Sequence, residues 1–496
     1  MLFMYKMEVL MDKITLENLI EKVESYNPEG VELVKKAYTY AEELHRGQYR
    51  QSGEPYIIHP LSVAYILAEI HADTETLCAA LLHDTLEDTK ITKEEIVKEF
   101  GPTVALLVDG VTKLNKMNFS SKQAQVFANT RKIITGIMID IRIIIIKIAD
   151  RLHNMRTLMY KSEFKQKENA IETMDLFVPL ANYIGTYRIK CELEDLSLKY
   201  LYPDQYKRIE ELHMKIEEES RECLKEMLLN IESALTSQKI PNEIKIRIKN
   251  IYGIYKRLDQ GYKISEIHDL LSLKIMVDTI PNCYQTLRIV HLEYKPFHEK
   301  FKDYIYNPKT NMYRSLHTTV FGEEDRLIQT QIRTFEMDKV ASFGLTAYWD
   351  IEKGNARDIM QNELKKQYQF FKSLIDINQM FADNQEFVRQ VKSELFSDKV
   401  YVYTAKGDLV ELPKGSTIID FAYMIHSDIG NTMTYAIVND KRVEMNYILQ
   451  NKDRVRVITD DLSCGPKEEW LDIAVTTRAR KRIKEGLNKE KRTIES

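Results

Sequence analysis

Two periodicities of apolar residues divide the chain. Through roughly the first 200 residues they recur at three- and four-residue spacing, as in Ile141, Ile144, Ile145, Ile148 and Leu152, which predicts helices throughout. A second helical stretch, rich in Glu and Lys, is expected from Tyr206 to Leu235. After Pro241 the period shortens to two: Glu243-Ile244-Lys245-Ile246-Arg247-Ile248-Lys249 alternates like a strand, and Leu270 to Val277 reads as a buried one. Further strands are expected at Ser315–Phe321 and Leu327–Arg333, so this part is α+β. A helical spacer over Ala356–Leu395 follows. Then Lys399–Thr404, the turn Lys406-Gly407-Asp408 and Leu409–Pro413 predict a hairpin that opens a small β-grasp module.

Composition narrows the class. A chain of 496 residues should form several domains, and 44% hydrophobic with 29% charged residues excludes disorder along its whole length. The formal charge of -4 carries no global nucleic-acid signature, so any RNA contact must be local. Cys78, Cys191, Cys223, Cys283 and Cys464 are scattered without a C-x-x-C pair. That argues against a disulfide framework or a thiolate zinc site and for buried thiols in a reducing cytoplasm. Glu8 and Asp12 interrupt the apolar start before a signal-peptide core could form, and no uncharged run approaches the roughly 18 residues of a membrane span.

The densest chemistry lies in Leu82-His83-Asp84-Thr85-Leu86-Glu87-Asp88-Thr89. On a continuous helix His83, Asp84, Glu87 and Asp88 would share one stripe beside the apolar run Leu77–Leu82. Desolvated carboxylates in that number repel one another unless a divalent cation neutralises them. His59, near a helix start, and Asp150, on a helix flank with Asn154, are further candidate ligands. Mixed imidazole and carboxylate donors suit a borderline or hard ion such as Mn²⁺, with zinc and iron also compatible. A lone His-Asp pair is more often a capped helix end or a surface ion pair; the combination carries the metal reading.

Gly47-Gln48-Tyr49-Arg50-Gln51-Ser52-Gly53-Glu54-Pro55-Tyr56, then His83–Thr89, Asp109–Leu114 and Lys147–Leu158, resemble, in order, the hydrolase domain of the Rel/Spo (RelA/SpoT) family, which makes and degrades (p)ppGpp. The resemblance implies Mn²⁺ held by His59, His83, Asp84 and Asp150, water activation by Glu87 and Asp88, and nucleotide contacts from Arg50, Ser52, Lys113, Asn154 and Arg156.

Residues 240–355 resemble the family's (p)ppGpp synthetase domain. Arg247, Lys249 and Arg257 match its ATP-phosphate segment, Asp269 its Mg²⁺-binding Asp, and Tyr313 the tyrosine that stacks on guanine; Lys302, Lys309 and His317 would add phosphate contacts. The departures are equally specific. Gln329 stands where family synthetases carry the Glu that helps ligate Mg²⁺ and deprotonates the 3′-hydroxyl of GDP or GTP, and an amide cannot accept that proton at neutral pH. Asp338 and Tyr348 replace His, Ser342 replaces Glu, Met312 replaces Gly, and Lys274 replaces Arg. Synthesis is therefore expected to be lost or severely reduced, with Glu323-Glu324-Asp325 as a nearby source of a substitute carboxylate.

Residues 400–460 resemble the TGS module, in which His426 would contact the end of ribosome-bound deacylated tRNA; the alternative is an exposed helix residue. Beyond Gly465-Pro466 the sequence enters the helical region of long family members, whose zinc-finger and ACT-like domains would lie past the last residue. The expected organisation is an all-α HD-type metal hydrolase domain (1–200), an α+β nucleotidyltransferase-like synthetase domain (201–355), a helical linker (356–396), a β-grasp TGS domain (397–461) and the start of a helical region (462–496). The activity implied is cytoplasmic, Mn²⁺-dependent hydrolysis of ppGpp or pppGpp to GDP or GTP and pyrophosphate. Two alternatives stay open: a bifunctional enzyme that also transfers pyrophosphate from ATP with Mg²⁺, and a ribosome- or tRNA-binding regulator that senses guanine nucleotides.

Overall fold

The computed structural model describes residues 14–115, 131, 135–136, 139–306, 308, 313–322, 325–344, 374–381, 383–393, 399–460 and 465–494; the side chains of 113–115 and 489–494 lie outside that description. The chain divides into two compact units, Met1–Lys113 with Asp140–Glu363, and Leu114–Ile139 with Leu364–Ser496. Among the described residues no helix is long and apolar enough to cross a membrane.

The first unit opens with helices, as the periodicity predicts. Those that carry the site are α1 (Ile58–Glu69), α2 (Thr74–Leu82), α3 (Thr85–Asp88) and α4 (Ile141–Arg156). Helix α2 starts where Asp73 accepts the Thr76 N–H at 2.7 Å, and α4 where Asp140 accepts the Arg142 N–H at 2.9 Å, each supplying a partner to an otherwise orphaned donor. Leu77, Leu81 and Leu82 are completely buried, as are Ile143, Ile144 and Ile146 on α4, and each such side chain contributes about 1.5–3 kcal/mol.

The expected acidic helix is interrupted. His83 and Asp84 do not lie within a continuous helix: α2 ends at Leu82, and α3 is a separate single turn that begins after Asp84. The Thr85 hydroxyl donates to the Leu82 carbonyl at 2.6 Å, supplying that end-of-helix oxygen with a donor. The acidic stripe consequently splits by burial, with His83 inside, Asp84 at the margin and Glu87 and Asp88 exposed.

Helices α5 (Tyr187–Leu201) and α6 (Pro203–Ser237) lead to the α+β part, which includes α7 (Ile251–Asp259) and α8 (Phe335–Phe343). Its sheet has the order β1-β2-β5-β4-β3, from β1 (Asn242–Ile248), β2 (Leu271–Val277), β3 (Lys302–Asp303), β4 (Leu316–Phe321) and β5 (Leu327–Thr334); β2 and β5 pair in parallel and the other pairs are antiparallel. Leu224, Met227, Ile231 and Leu235 of α6 share a core with Leu273, Ile275, Ile328 and Ile332 of the central strands. The limits of β1, β2, β4 and β5 fall within a residue of those predicted, and β3 is a short addition. The Asp195 carboxylate of α5 accepts the Tyr252 N–H at 2.7 Å and the Asn250 amide at 3.0 Å, tying the start of α7 to the helical part.

In the second unit, β6 (Lys399–Thr404), β7 (Leu409–Pro413), β8 (Met433–Val438), β9 (Lys441–Val443) and β10 (Arg454–Thr459) form a sheet of order β7-β6-β10-β8-β9 around α9 (Ile418–Ile425), the predicted β-grasp. Gly407, at φ +93°, makes the expected hairpin turn. Helix α10 (Ser427–Thr432) follows, and α11 (Thr477–Ile494) buries Ala479 and Ile483 in a second small core with Tyr423 and Trp470. The predicted spacer over Ala356–Leu395 falls partly outside the described residues; within it Asn384–Val391 is helical.

Candidate metal centre and nucleotide face

His59 on α1, His83 at the end of α2 and Asp150 on α4 converge although their sequence separations reach 91 residues, and all three are buried. One donor atom from each lies within 4.8 Å of the others. His59 Nε2 stands 3.2 Å from Asp150 Oδ1 and 3.6 Å from Asp84 Oδ2, and His83 Nε2 is 3.2 Å from Asp84 Oδ1. The geometry fits a divalent cation on one further count. His83 donates Nδ1–H to the Ala80 carbonyl at 2.8 Å, which leaves Nε2 as the bare nitrogen, and that atom is buried without a hydrogen-bond partner. Asp84 is the outermost of the four proposed ligands. It also accepts, at 2.8 Å, the Tyr56 hydroxyl, which lies 2.8 Å from Asp88 as well.

Electrostatics favour ionised acids and a neutral His59 here. Burial opposes charge on Asp150, yet Lys147, donating at 2.6 Å, together with the nearby His59, holds the carboxyl well below the usual range. Burial likewise opposes charge on Asp84, and His83 and His59 outweigh it to lower its pKa. Burial pushes His59 down, with the adjacent Asp150 carboxylate opposing. Those protonation states are the ones metal ligands need.

The expected nucleotide residues are less uniform. Arg50 donates to Asn154 Oδ1 at 3.0 Å and to His153 Nδ1 at 3.1 Å, and Asn154 donates to Asp150 at 2.5 Å, so these residues abut the cluster. Ser52 bonds Glu54 at 3.1 Å. Arg156 instead makes a two-pronged ion pair with Glu192 on α5, at 2.6 and 2.8 Å. The Lys113 side chain lies outside the described residues. The sequence motifs alone give His153 and Tyr56 no role. His153 follows Asp150 by three positions, one helical turn, which was the available signal.

On the α+β sheet, Lys249 pairs with Asp269. Burial opposes the Asp269 charge, but Lys249 and then Arg257 lower its pKa, so an ammonium stands where a Mg²⁺-binding Asp was expected to serve the metal. Arg247 donates to the Tyr187 hydroxyl of α5, its guanidinium 4.6 Å from that ring's centre. Arg257 lies over Tyr262, 5.5 Å from the ring centre. The Tyr313 hydroxyl contacts His317 at 2.7 Å and Gln331 at 3.2 Å, Gln331 donates to Gln329 at 2.7 Å, and Lys302 is the cross-strand partner of His317. Two of the departures, Lys274 and Asp338, prove to be partners: Lys274 approaches Asp338 Oδ1 at 3.0 Å, as does Arg333. Of the acidic turn, Glu323 and Glu324 lie outside the described residues, as do Lys309, Met312 and Tyr348.

His426 does not sit inside a helix. Its extended backbone separates α9 from α10, and its exposed ring accepts the Asp428 N–H at 3.3 Å.

These elements define a multidomain protein in which an HD-type helical domain precedes a nucleotidyltransferase-like α+β domain and a β-grasp module. Residues 37–187 match the HD domain model, 246–356 the region found in RelA/SpoT proteins, and 400–459 the TGS domain. The chain is 42% identical over 475 residues to a GTP pyrophosphokinase of Myxococcus xanthus, covering 95% of this chain and 62% of that protein. It is 42% identical over 483 residues to a guanosine-3′,5′-bis(diphosphate) 3′-pyrophosphohydrolase of Aquifex aeolicus, covering 97% and 68%, and 39% identical over 479 residues to the bifunctional (p)ppGpp synthase/hydrolase SpoT of Escherichia coli, covering 96% and 68%. The chain belongs to the RelA/SpoT family.

Proposed function

We propose that the helical domain hydrolyses the 3′-pyrophosphate of ppGpp or pppGpp, giving GDP or GTP and pyrophosphate, in the cytoplasm. The observation that supports it is the buried His59–His83–Asp150 cluster with its orphaned His83 Nε2. His59, His83, Asp84 and Asp150 would hold the ion, with Mn²⁺ favoured by the mixed donors. A bound divalent ion would acidify water and polarise the phosphoryl oxygen. Glu87 and Asp88, exposed at the rim, would take the water's proton, and Tyr56 holds Asp88 beside Asp84. Arg50, Ser52, Lys113, Asn154 and Arg156 would bind the nucleotide; Arg156 must first leave Glu192.

The synthetase face is weakened or silent in this reading. Gln329 supplies no base, and Asp338 engages Lys274 and Arg333 together. Binding of guanine nucleotides without chemistry is favoured by the retained Tyr313–His317 pair. The names of the Myxococcus and Escherichia relatives support the alternative, ATP-dependent synthesis with Mg²⁺ at Asp269. His426 would contact tRNA through the TGS domain.

The test is release of pyrophosphate from 3′-labelled ppGpp in Mn²⁺. Wild type should turn over, and Asp84→Ala should lose hydrolysis and metal retention together. Undiminished turnover by Asp84→Ala after chelation and Mn²⁺ return would sink the metal-centre reading.

A further inference from the structure

Hydrogen bonds around the cluster decide which nitrogen of His59 can ligate, and Arg50 sets them. A guanidinium only donates, so His153 Nδ1, 3.1 Å from Arg50 Nη1, must present its lone pair. The same nitrogen is 2.8 Å from His59 Nδ1, so its single lone pair is shared between the two neighbours and His59 Nδ1 must carry its hydrogen. His59 is left with Nε2 as the ligating atom, the one that faces Asp150 and Asp84. On the other side, Arg50 Nη2 donates to Asn154 Oδ1 at 3.0 Å, which fixes the amide's orientation so that Nδ2 donates to Asp150 Oδ1 at 2.5 Å. His59 Nε2 and Asp150 Oδ1 then face each other at 3.2 Å as two acceptors, an arrangement that a shared cation would satisfy.

We propose that Arg50 is the outer anchor of the metal centre: a positioning residue that sets the tautomer of His59 through His153 and the orientation of Asp150 through Asn154. The inference rests on the metal-centre reading above and adds to it that Arg50 supports metal binding when no nucleotide is present. Lys147 holds the other Asp150 oxygen independently, so His59 is the ligand that depends most on Arg50. Bonds of this kind from outside the ligand set orient a metal-bound imidazole and tune its basicity.

The test uses the full chain, stripped by chelation and titrated with Mn²⁺ alone by calorimetry. His153→Phe, which cannot accept the His59 hydrogen bond, and Arg50→Met should each weaken Mn²⁺ binding by roughly 10- to 100-fold. His153→Asn, whose amide oxygen can accept from both neighbours, should stay close to wild type, a rescue that bulk packing would not provide. If His153→Phe unfolds, Arg50→Met at its half-exposed position still decides the matter. Wild-type affinity in Arg50→Met overturns the proposal while leaving the metal centre standing. Absence of Mn²⁺ uptake by the wild-type chain removes the centre itself, and the anchor with it.

Discussion

At the scale of single residues, burial separates the proposed ligands from the acids proposed to handle the proton. His59, His83 and Asp150 are inside, where an uncompensated charge or lone pair is costly, whereas Glu87 and Asp88 are exposed one turn further on. Glu87→Gln is accordingly expected to retain metal at wild-type stoichiometry and to lower the rate of ppGpp hydrolysis by a factor on the order of 10² or more. Metal analysis beside a turnover assay checks this. Loss of metal in the variant would make Glu87 a ligand, and full activity would move the base elsewhere. Gln329 illustrates the opposite case: its side chain is retained in a hydrogen-bond chain from Tyr313 through Gln331, but an amide holds geometry without basicity.

Among the secondary-structure elements, the most consequential join is Asp195 of α5 at the start of α7. Burial raises its carboxyl pKa to about 7 from an ordinary 3.8, although the Tyr252 and Asn250 donors oppose the shift. An acid with a raised folded-state pKa stabilises the fold fully below its unfolded value and loses that contribution as pH rises through the folded one. Stability should therefore decline between about pH 4 and pH 7 on this account. Asp195→Asn keeps an oxygen for the Tyr252 N–H and removes the titration, so the difference in melting temperature between wild type and variant should shift in the variant's favour as pH rises across that window. Parallel pH profiles of the two proteins would deny Asp195 this role.

At the scale of the whole molecule, hydrolase-like and synthetase-like elements share one compact unit, so activities must be tested in the intact chain. Wild type is expected to make little or no ppGpp from ATP and GDP. In an Asp84→Ala background, expected to silence hydrolysis, Gln329→Glu should raise synthesis, but only partly, because a restored base contributes roughly 10²- to 10⁴-fold solely where every other group is in place. The Lys274–Asp338–Arg333 cluster would persist in that variant. Labelled ATP with product separation reads the outcome. Vigorous synthesis by the unmutated chain would establish the bifunctional alternative and direct attention to Asp325 and its neighbours for the base.

The chain by itself determined its element types, because helix and strand periods are written in residues that are close in sequence. It also determined the family and the chemical types gathered in each motif, down to the amide at position 329. Where α2 stops was less legible, since it turns on capping at Leu82–Thr85, which the apolar pattern does not register. Only the tertiary structure decided the partnerships: Arg50 with His153 across 103 positions, Arg156 with Glu192, Arg247 with Tyr187, and Lys274 with Asp338. Each depends on how helices and strands pack at long range, which places donors against acceptors that no local spacing brings together.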